Sequence, residues 1–323
     1  MKKRKLGKTG WSISEIGYGG WGIGRTWWGA TDDRESLAAL RAAWDAGVNF
    51  YDTAYVYGDG HSEELMGRAL KGKKAVIATK IPPKNQGWPA DPATQAREAF
   101  PPEWITACTE RSLKKLDREV IDLTQFHVWT DAWLADDGWK EAVSRLKASG
   151  KIRAFGVSIN DHQPDSALKL VASGLVDTVQ VIFNIFDQAP TEKLFPLCRK
   201  HKVGVIVRVP FDEGGLTGTL TKETRFEKGD FRAQYFRGDN LAKTVDRVEN
   251  LKKFLGKDTR TVADLALKFT LSFDAVSTVI PGMRSARHVA ANTKAAGRRL
   301  PAKTLGALKK HAWDRNFYGW WDD

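Results

Sequence analysis

Residues 50–70 read FYDTAYVYGDGHSEELMGRAL and combine the end of a strand, a glycine-broken loop and the start of a helix. The first residues of this stretch have strand character, and the chain then turns at Gly58 and Gly60. Ser62 followed by two glutamates predicts the N-cap and the acidic first turn of a helix. The stretch therefore predicts one strand–loop–helix unit.

Four side chains capable of proton chemistry fall at the ends of predicted strands. Asp52 ends the strand of the opening stretch and Tyr57 lies on the loop after it. Lys80 and His127 end the next two predicted strands. In a barrel built from eight strand–helix units, the carboxyl ends of the strands form the catalytic face. These positions are therefore candidates for an active site.

Strands and helices alternate along the whole chain, which predicts a parallel sheet with helices outside it. The predicted barrel strands span residues 16–20, 48–52, 75–80, 121–126, 152–157, 178–182, 203–207 and 276–280. The predicted helices span residues 33–46, 63–70, 104–116, 138–149, 165–173, 191–201, 241–255 and 262–271, with two more after the last strand. A doubly wound sheet is the competing arrangement, but no G-x-G-x-x-G motif follows an early strand.

The remaining segments also fit a barrel. Glycines between two short β-favouring runs at residues 5–14 predict an N-terminal hairpin. Long loops at residues 82–103 and 212–240 follow the third and seventh strands, and the alternation resumes after each. A length of 323 residues suits one barrel with such insertions. The prediction is a single (β/α)8 barrel domain over residues 1–323.

Several motifs at the strand ends resemble those of the aldo-keto reductase superfamily. They are the D-T-A-x-x-Y-G-x-G-x-S-E run from Asp52, the Thr79-Lys80 pair, His127 after Phe126, and Ile280-Pro281-Gly282-x-Arg284. The resemblance covers nearly the whole chain. It implies a (β/α)8 TIM barrel whose N-terminal β-hairpin closes the bottom. It also implies an NADP(H)-dependent oxidoreductase that reduces an aldehyde or ketone.

The same resemblance assigns a catalytic tetrad of Asp52, Tyr57, Lys80 and His127. A free tyrosine has a pKa near 10, so it is a poorly matched acid at neutral pH. Lys80 beside it would favour the phenolate and lower that pKa, while Asp52 would hold and neutralise the lysine. Tyr57 would then be the general acid, and His127 would orient the carbonyl. Taken singly, each residue also has a purely structural explanation, such as a helix cap or a satisfied interior histidine.

A nicotinamide cofactor is implied because the tetrad has no hydride of its own. By resemblance, Ser158 and Gln180 would hold the carboxamide, glycines after the seventh strand would face the pyrophosphate, and Arg284 and Ser285 would take the 2′-phosphate. Arg208 stands where the family commonly has a Tyr that stacks on the nicotinamide. The full expected cofactor-binding set is Gly20, Trp21, Asp52, Ser158, Gln180, Arg208, Pro210, Gly215, Leu216, Gly282, Arg284, Ser285, His288 and Asn292.

Composition narrows the other function classes. The net charge is +12, but the basic residues are scattered and no nucleic-acid motif appears, so a solvated basic surface is expected. No run of about 18 apolar residues predicts a membrane span, and no export signal is apparent, so a cytoplasmic location is expected. The six histidines and two cysteines lack metal-ligand spacing, so no metal site is expected.

Two features leave alternatives open. Six of the 13 tryptophans, at positions 21, 27, 28, 88, 129 and 133, fall on loops at the predicted catalytic face and suggest an apolar, ring-bearing or sugar carbonyl. The aromatic tail at residues 317–321 could cover the pocket, contact another subunit or remain free. Barrels of this family also serve as nicotinamide-sensing subunits, so a cofactor-binding module with slow turnover is the alternative function.

Overall fold

Eight parallel strands form one sheet in chain order, with each strand hydrogen-bonded to the next. The structure is a computed structural model and describes residues 1–25, 27–29 and 31–318. A two-stranded antiparallel hairpin precedes the eight-stranded sheet. The strands are β1 Lys3–Lys5, β2 Ser12–Ser14, β3 Tyr18–Gly19, β4 Phe50–Asp52, β5 Val76–Ile81, β6 Ile121–Phe126, β7 Ile152–Ser158, β8 Thr178–Ile182, β9 Gly204–Arg208 and β10 Val276–Val279.

Backbone hydrogen bonds close the sheet into a barrel. The amide of Gly17 donates to the carbonyl of Val279 at 2.8 Å, and that of Gly19 donates to Pro281 at 3.1 Å. Parallel bridges join Ile16 to Val279 and Gly19 to Gly282, next to the first and last strands. The predicted (β/α)8 barrel and its N-terminal hairpin are therefore confirmed.

Helices cover the outside of the barrel and broadly follow the predicted segments. They are α1 Asp33–Asp45, α2 His61–Leu70, α3 Ala96–Ala99, α4 Pro102–Leu116, α5 Asp137–Ala148, α6 Leu168–Ser173, α7 Leu194–His201, α8 Arg232–Tyr235, α9 Asn240–Glu249, α10 Val262–Leu271, α11 Ala286–Thr293 and α12 Ala302–Leu308. The predicted helices 165–173 and 191–201 are each divided into a 3₁₀ turn and a shorter α-helix. The division falls where Ala167 and Lys193 leave helical backbone angles.

The predicted cap of the second helix is wrong. Helix α2 begins at His61, and its N-cap is Gly60, whose φ of 87° lies in the left-handed region that favours glycine. Ser62 is fully buried one residue inside the helix. Its hydroxyl donates to the carbonyl of Gly20 and accepts from the Thr53 hydroxyl, both at 2.9 Å. Ser62 therefore joins the helix to the barrel rim instead of capping it.

The barrel interior is apolar at its lower end and polar at its upper end. Apolar side chains of the lower layer pack together and belong to Phe50, Ala78, Leu123, Ala154, Ile206 and Ile280. Alternate residues of a strand face the same side, so residues two positions later line the next layer up. In that layer stand Asp52, Lys80, Gln125, Gly156, Arg208 and Gly282. The alternation of the strands thus gives a hydrophobic floor beneath a polar catalytic face.

The N-terminal hairpin closes the floor of the barrel. Leu6 and Ile13 are completely buried and pack into the apolar layer. Gly7 follows with a φ of +51°, and a Cβ there would lie 2.3 Å from the backbone nitrogen of Gly204. Only a residue without a side chain allows this approach, so the hairpin turn depends on Gly7.

We expect Gly7→Ala to lower the free energy of unfolding by roughly 2–4 kcal/mol, because left-handed backbone strain adds to overpacking against another strand. Gly10→Ala is the matched control, since Gly10 also has a positive φ, of +80°, but has no heavy atom within 4 Å of its Cβ position. That variant should lose only the strain, about 1 kcal/mol. Denaturant unfolding measures both, and equal losses would contradict the close-packing account.

Candidate active site

A buried ion pair lies at the centre of the polar layer. The Lys80 ammonium on β5 lies 2.5 Å from the Asp52 carboxylate at the end of β4, and both side chains are almost fully buried. The ammonium also donates to the carbonyl of Thr53 at 2.8 Å and to the Tyr57 hydroxyl at 3.3 Å. All three of its protons are therefore engaged. Burial lowers the pKa of Lys80, but Asp52 and Tyr57 raise it overall, so the lysine remains charged.

The second oxygen of Asp52 is held from two further strands. The side-chain amide of Gln180 on β8 donates to it at 2.8 Å, and that of Gln125 on β6 lies 3.4 Å away. Ser158, buried at the end of β7, is the register partner of Gln180. Gln125 did not figure among the sequence candidates, although its position opposite Lys80 in the sheet register could have indicated it.

Tyr57 brings its hydroxyl to the ion pair from the loop after β4. Its ring is partly exposed, and the Lys80 ammonium lies 4.9 Å from the ring centroid. Burial raises the pKa of Tyr57, while Lys80 lowers it, and the net direction is upward. The lysine thus acts in the expected direction, but burial outweighs it, so the phenol remains protonated. Because Lys80 occupies one lone pair of the oxygen, the phenol proton is free to point elsewhere.

His127 faces Tyr57 across the mouth of the barrel. The two ring centroids lie 5.8 Å apart, and Trp88 from the loop after β5 packs against the imidazole at 4.5 Å. Burial, followed by the charges of Lys80 and Arg208, lowers the pKa of His127 well below its usual value. Its Nδ1 has no hydrogen-bond partner within the described parts of the chain. A neutral imidazole can donate a hydrogen bond from one ring nitrogen, which suits contact with a bound oxygen.

Aromatic rings line one side of the mouth. Trp21 stacks near Tyr57 at 6.1 Å and contacts Trp28 and Phe231 at 5.4 and 4.8 Å. By contrast, two of the six tryptophans expected at the catalytic face, Trp129 and Trp133, are buried in the core. The flat apolar wall is therefore smaller than the tryptophan count predicts.

Arg208 ends β9 at the same face. Its guanidinium donates to the carbonyl of Ile159 at 2.9 Å and to the Asp161 carboxylate at 2.6 Å. These contacts tie the end of β9 to the loop after β7. Its Nε has no hydrogen-bond partner among residues 1–25, 27–29 and 31–318. Burial lowers the pKa of Arg208, but the Asp161 charge raises it overall, so the site contains a permanent cation.

The loop after β9 packs tightly around Gly215, one of the expected cofactor-binding residues. Pro210, Gly215 and Leu216 are all buried, and the Leu216 amide donates to the carbonyl of Phe211 at 2.8 Å. A Cβ on Gly215 would lie 2.8 Å from a Thr244 methyl and 2.9 Å from an oxygen of Asp212. The predicted long loop 212–240 is thus partly ordered as a 3₁₀ turn, Asp212–Thr217, and helix α8.

The start of α11 supplies a second charged region on the same rim. Gly282 bridges to Gly19, close to Gly20 and Trp21. Arg284 donates to the carbonyl of Trp28 at 3.0 Å. Ser285 caps α11, accepting from the amide of His288. Asn292 is buried on α11, whereas His288 is exposed. Burial, followed by the charges of Arg287 and Arg284, lowers the pKa of His288, so it adds little charge at neutral pH.

Comparison with known proteins identifies the family. The sequence pattern of the Aldo/keto reductase family matches residues 15–312. The chain belongs to this family. Aldo-keto reductase YhdN of Bacillus subtilis is 36% identical over 72% of this chain and 69% of its own length. The NADH-specific methylglyoxal reductase of Escherichia coli is 30% identical over 91% of this chain and 93% of its own.

Solved structures agree with this assignment. The glycerol dehydrogenase AKR11B4 from Gluconobacter oxydans superimposes with a TM-score of 0.78 at 29% identity, covering 96% of this chain and 94% of that one. The aldo-keto reductase fold is therefore shared along nearly the whole chain. None of the helices within the described ranges is long and apolar enough to cross a membrane.

Sequence reasoning missed several side chains of this aldo-keto reductase site. Asp161 pairs with Arg208, and Glu213 accepts a hydrogen bond from the Tyr318 hydroxyl. Burial raises the pKa of Glu213 to about 8. Asn160 bonds both backbone groups of Ala90, which fixes the long loop after β5. Residues 319–321 of the aromatic tail lie outside the described residues.

We expect the His127 ring to stay neutral well below pH 6.5, because burial and two nearby cations oppose its protonation. Since the unfolded chain takes up this proton and the folded chain does not, the free energy of unfolding should fall as the pH drops below 6.5. NMR titration of the imidazole, assigned with His127→Gln, measures the pKa. An ordinary pKa for this imidazole would contradict the buried environment.

Proposed function

We propose that this aldo-keto reductase reduces an aldehyde or ketone to an alcohol with NADP(H), using Tyr57 as the general acid. The observation that supports it most is the Tyr57 hydroxyl 3.3 Å from an ammonium that is itself 2.5 Å from Asp52. A tyrosine that only covers the surface would not require a fully buried cation beside its hydroxyl. Here the cation is retained despite the cost of removing it from water, which is several kcal/mol before pairing.

The residues around the rim fit a nicotinamide dinucleotide. The N-terminus of α11 carries Arg284 and Ser285, and such a terminus with an arginine suits a phosphate group. Glycine-rich backbone after β9 suits a diphosphate. Ser158 and Gln180 are buried side by side where a carboxamide would need polar partners. The bound cofactor would supply the hydride.

Different side chains of the protein would then have different roles at the substrate oxygen. Tyr57 would donate its proton as the alkoxide forms, and Lys80 would stabilise the phenolate left behind. Asp52 would keep the lysine in place and balance its charge. Neutral His127 would donate a hydrogen bond to the same oxygen and hold it near Tyr57. Arg208 would lie beside the reacting ring with its charge directed to Asp161.

The substrate pocket favours a carbonyl compound with a flat apolar part. Trp21 stacks near the Tyr57 ring and contacts Trp28, and Trp88 packs against the His127 ring. Aromatic walls of this kind suit ring-bearing or otherwise apolar groups. The Escherichia coli and Gluconobacter relatives are named for methylglyoxal and glycerol, which are small and polar. A preference for larger carbonyls would distinguish this protein from them.

The loss of NADPH absorbance with a panel of aldehydes and ketones tests the proposal. Turnover of at least about 0.1–1 s⁻¹ with any panel member supports an enzyme, since typical enzymes turn over at about 1–10³ s⁻¹. If NADPH binds but no panel member is turned over above this threshold, the binding-module alternative is favoured. Failure to bind either nicotinamide dinucleotide would refute both.

Tyr57→Phe should reduce kcat by roughly 10²–10⁴-fold, because the proton donor is lost while the ring is kept. The dissociation constant of NADPH should stay within about twofold of the parent value. Tyr55→Phe is the matched control, since Tyr55 lies on the same loop but stacks on Arg111 at 4.5 Å. Steady-state kinetics and fluorescence titration decide the matter. Near-parental kcat in Tyr57→Phe, or equal losses in both variants, would refute the assignment.

We expect kcat/KM to favour NADPH over NADH by about tenfold to a hundredfold, since one charge-assisted contact contributes about 1.5–3 kcal/mol. Arg284→Ala should remove most of this preference. Arg298→Ala, a change at an exposed arginine beyond α11, should leave it unchanged. The name of the Escherichia coli relative shows that NADH specificity occurs among relatives. Equal use of both cofactors by the parent enzyme would therefore overturn this part of the proposal.

A further inference from the structure

The last described residues, 313–318, form an ordered segment that we name the C-terminal strap. The amide of Trp313 donates to the carbonyl of Phe186 at 2.9 Å. Phe317 and Tyr318 are buried against Tyr235 of α8, with ring centroids 5.3 and 4.9 Å apart. The family match stops at residue 312, just before this segment. The strap thus lies across loops of the catalytic face instead of extending into solvent.

Arg315 of the strap joins two buried carboxylates from different loops. Its guanidinium lies 3.2 Å from Asp187, in the loop after β8, and also pairs with Asp212, in the loop after β9. Arg315 and Asp212 are both nearly completely buried. A buried carboxylate is stable only with a partner, and Asp212 also accepts a hydrogen bond from the Tyr235 hydroxyl at 2.8 Å. Arg315 therefore bridges both loops electrostatically.

The loop that the strap holds has an unusual backbone. Asp212 and Glu213 have φ angles of 48° and 53°, in the left-handed region that non-glycine residues rarely adopt, and Gly214 follows at 105°. Arg315 holds the first of these residues, and the Tyr318 hydroxyl donates to the second. Strained residues of this kind persist only when their surroundings hold them. The strap supplies a side-chain contact to each of them.

The same turn carries the backbone expected to face the cofactor. Gly215 follows Gly214 directly, and a Cβ built on Gly215 would lie 2.9 Å from an oxygen of Asp212, so the glycine backbone packs closely against the Asp212 side chain. The Glu213 carboxyl lies within electrostatic range of Arg208, at the end of β9. We therefore expect a shift of Asp212 or Glu213 to disturb the adjacent glycine backbone.

We propose that the C-terminal strap, through Arg315 and Tyr318, positions the loop Asp212–Leu216 to bind the diphosphate of the dinucleotide. The inference rests on the proposed cofactor site. A loop held in its binding conformation loses little entropy when the ligand arrives, whereas a released loop must be ordered by the ligand itself. Releasing the loop should weaken cofactor binding without changing the proton chemistry at Tyr57, which neither residue touches.

Arg315→Met in the full chain tests this. We expect the dissociation constant and KM for NADPH to rise about tenfold or more, with kcat at saturating cofactor within about twofold of the parent value. Arg315→Lys, which keeps the charge, should recover much of the affinity. Arg4→Met is the matched control, because Arg4 forms another largely buried pair, with Glu15 at the opposite end of the barrel, at 2.9 Å. That variant should lose stability but keep its NADPH affinity.

If Arg315→Met does not fold, Tyr318→Phe provides the test, because the change from Tyr to Phe removes only one hydroxyl group. It should weaken NADPH binding severalfold and speed hydrogen exchange at residues 212–216. Unchanged affinity in whichever strap variant folds, or an equal loss in Arg4→Met, would overturn the inference while leaving the proposed function intact. A parent protein that binds no NADPH would overturn the proposed function itself.

Discussion

The Lys80–Asp52 ion pair is the interaction on which the catalytic face depends. Both groups are removed from water inside the barrel, and separating such a pair would cost roughly 3–5 kcal/mol. The barrel meets this cost by surrounding the pair with hydrogen-bonding groups from several strands, including the amide of Gln180. The position of the Tyr57 hydroxyl follows from it, because the third proton of the ammonium has no other acceptor within the described residues.

The residues that stabilise the barrel and the residues of the candidate site lie in different layers of its interior. Its floor is apolar and is closed by the hairpin through Leu6 and Ile13, whereas the layer above it holds charges and amides. Two positions along a strand are enough to pass from one layer to the other, as between Phe50 and Asp52. The charges of the upper layer are tolerated because Lys80 pairs with Asp52, whose carboxylate also accepts from Gln180. The apolar side chains of the floor need no hydrogen-bond partners. Residues of the upper layer can therefore differ without loss of the core.

A second buried polar network lies at the rim and links loops that the hydrogen bonds of the sheet do not connect. Asp187 accepts from His162 at 2.7 Å and is also held by Asn184 at 2.9 Å and by Arg315. The loops after β7, β8 and β9 and the C-terminal strap therefore share one set of charges. In a network of this kind each group depends on the others, because an unpaired charge in a low-dielectric region is costly. Rim geometry is thus a collective property of these loops.

The sequence by itself determined the barrel and its hairpin and placed the four candidate residues at strand ends, because strand alternation and strand-end residues are local signals. Strands 121–126 and 178–182 and helix 262–271 matched the structure to the residue. Only the tertiary structure decided which side chains meet. Arg315 reaches Asp212 across 103 positions and Asp187 across 128, and Ser62 leaves its expected cap for the carbonyl of Gly20. No local pattern encodes such partners, since they depend on how distant loops pack on a closed barrel. Burial decided the protonation of Tyr57 and His127 in the same way, because desolvation is a property of the assembled site and not of a motif.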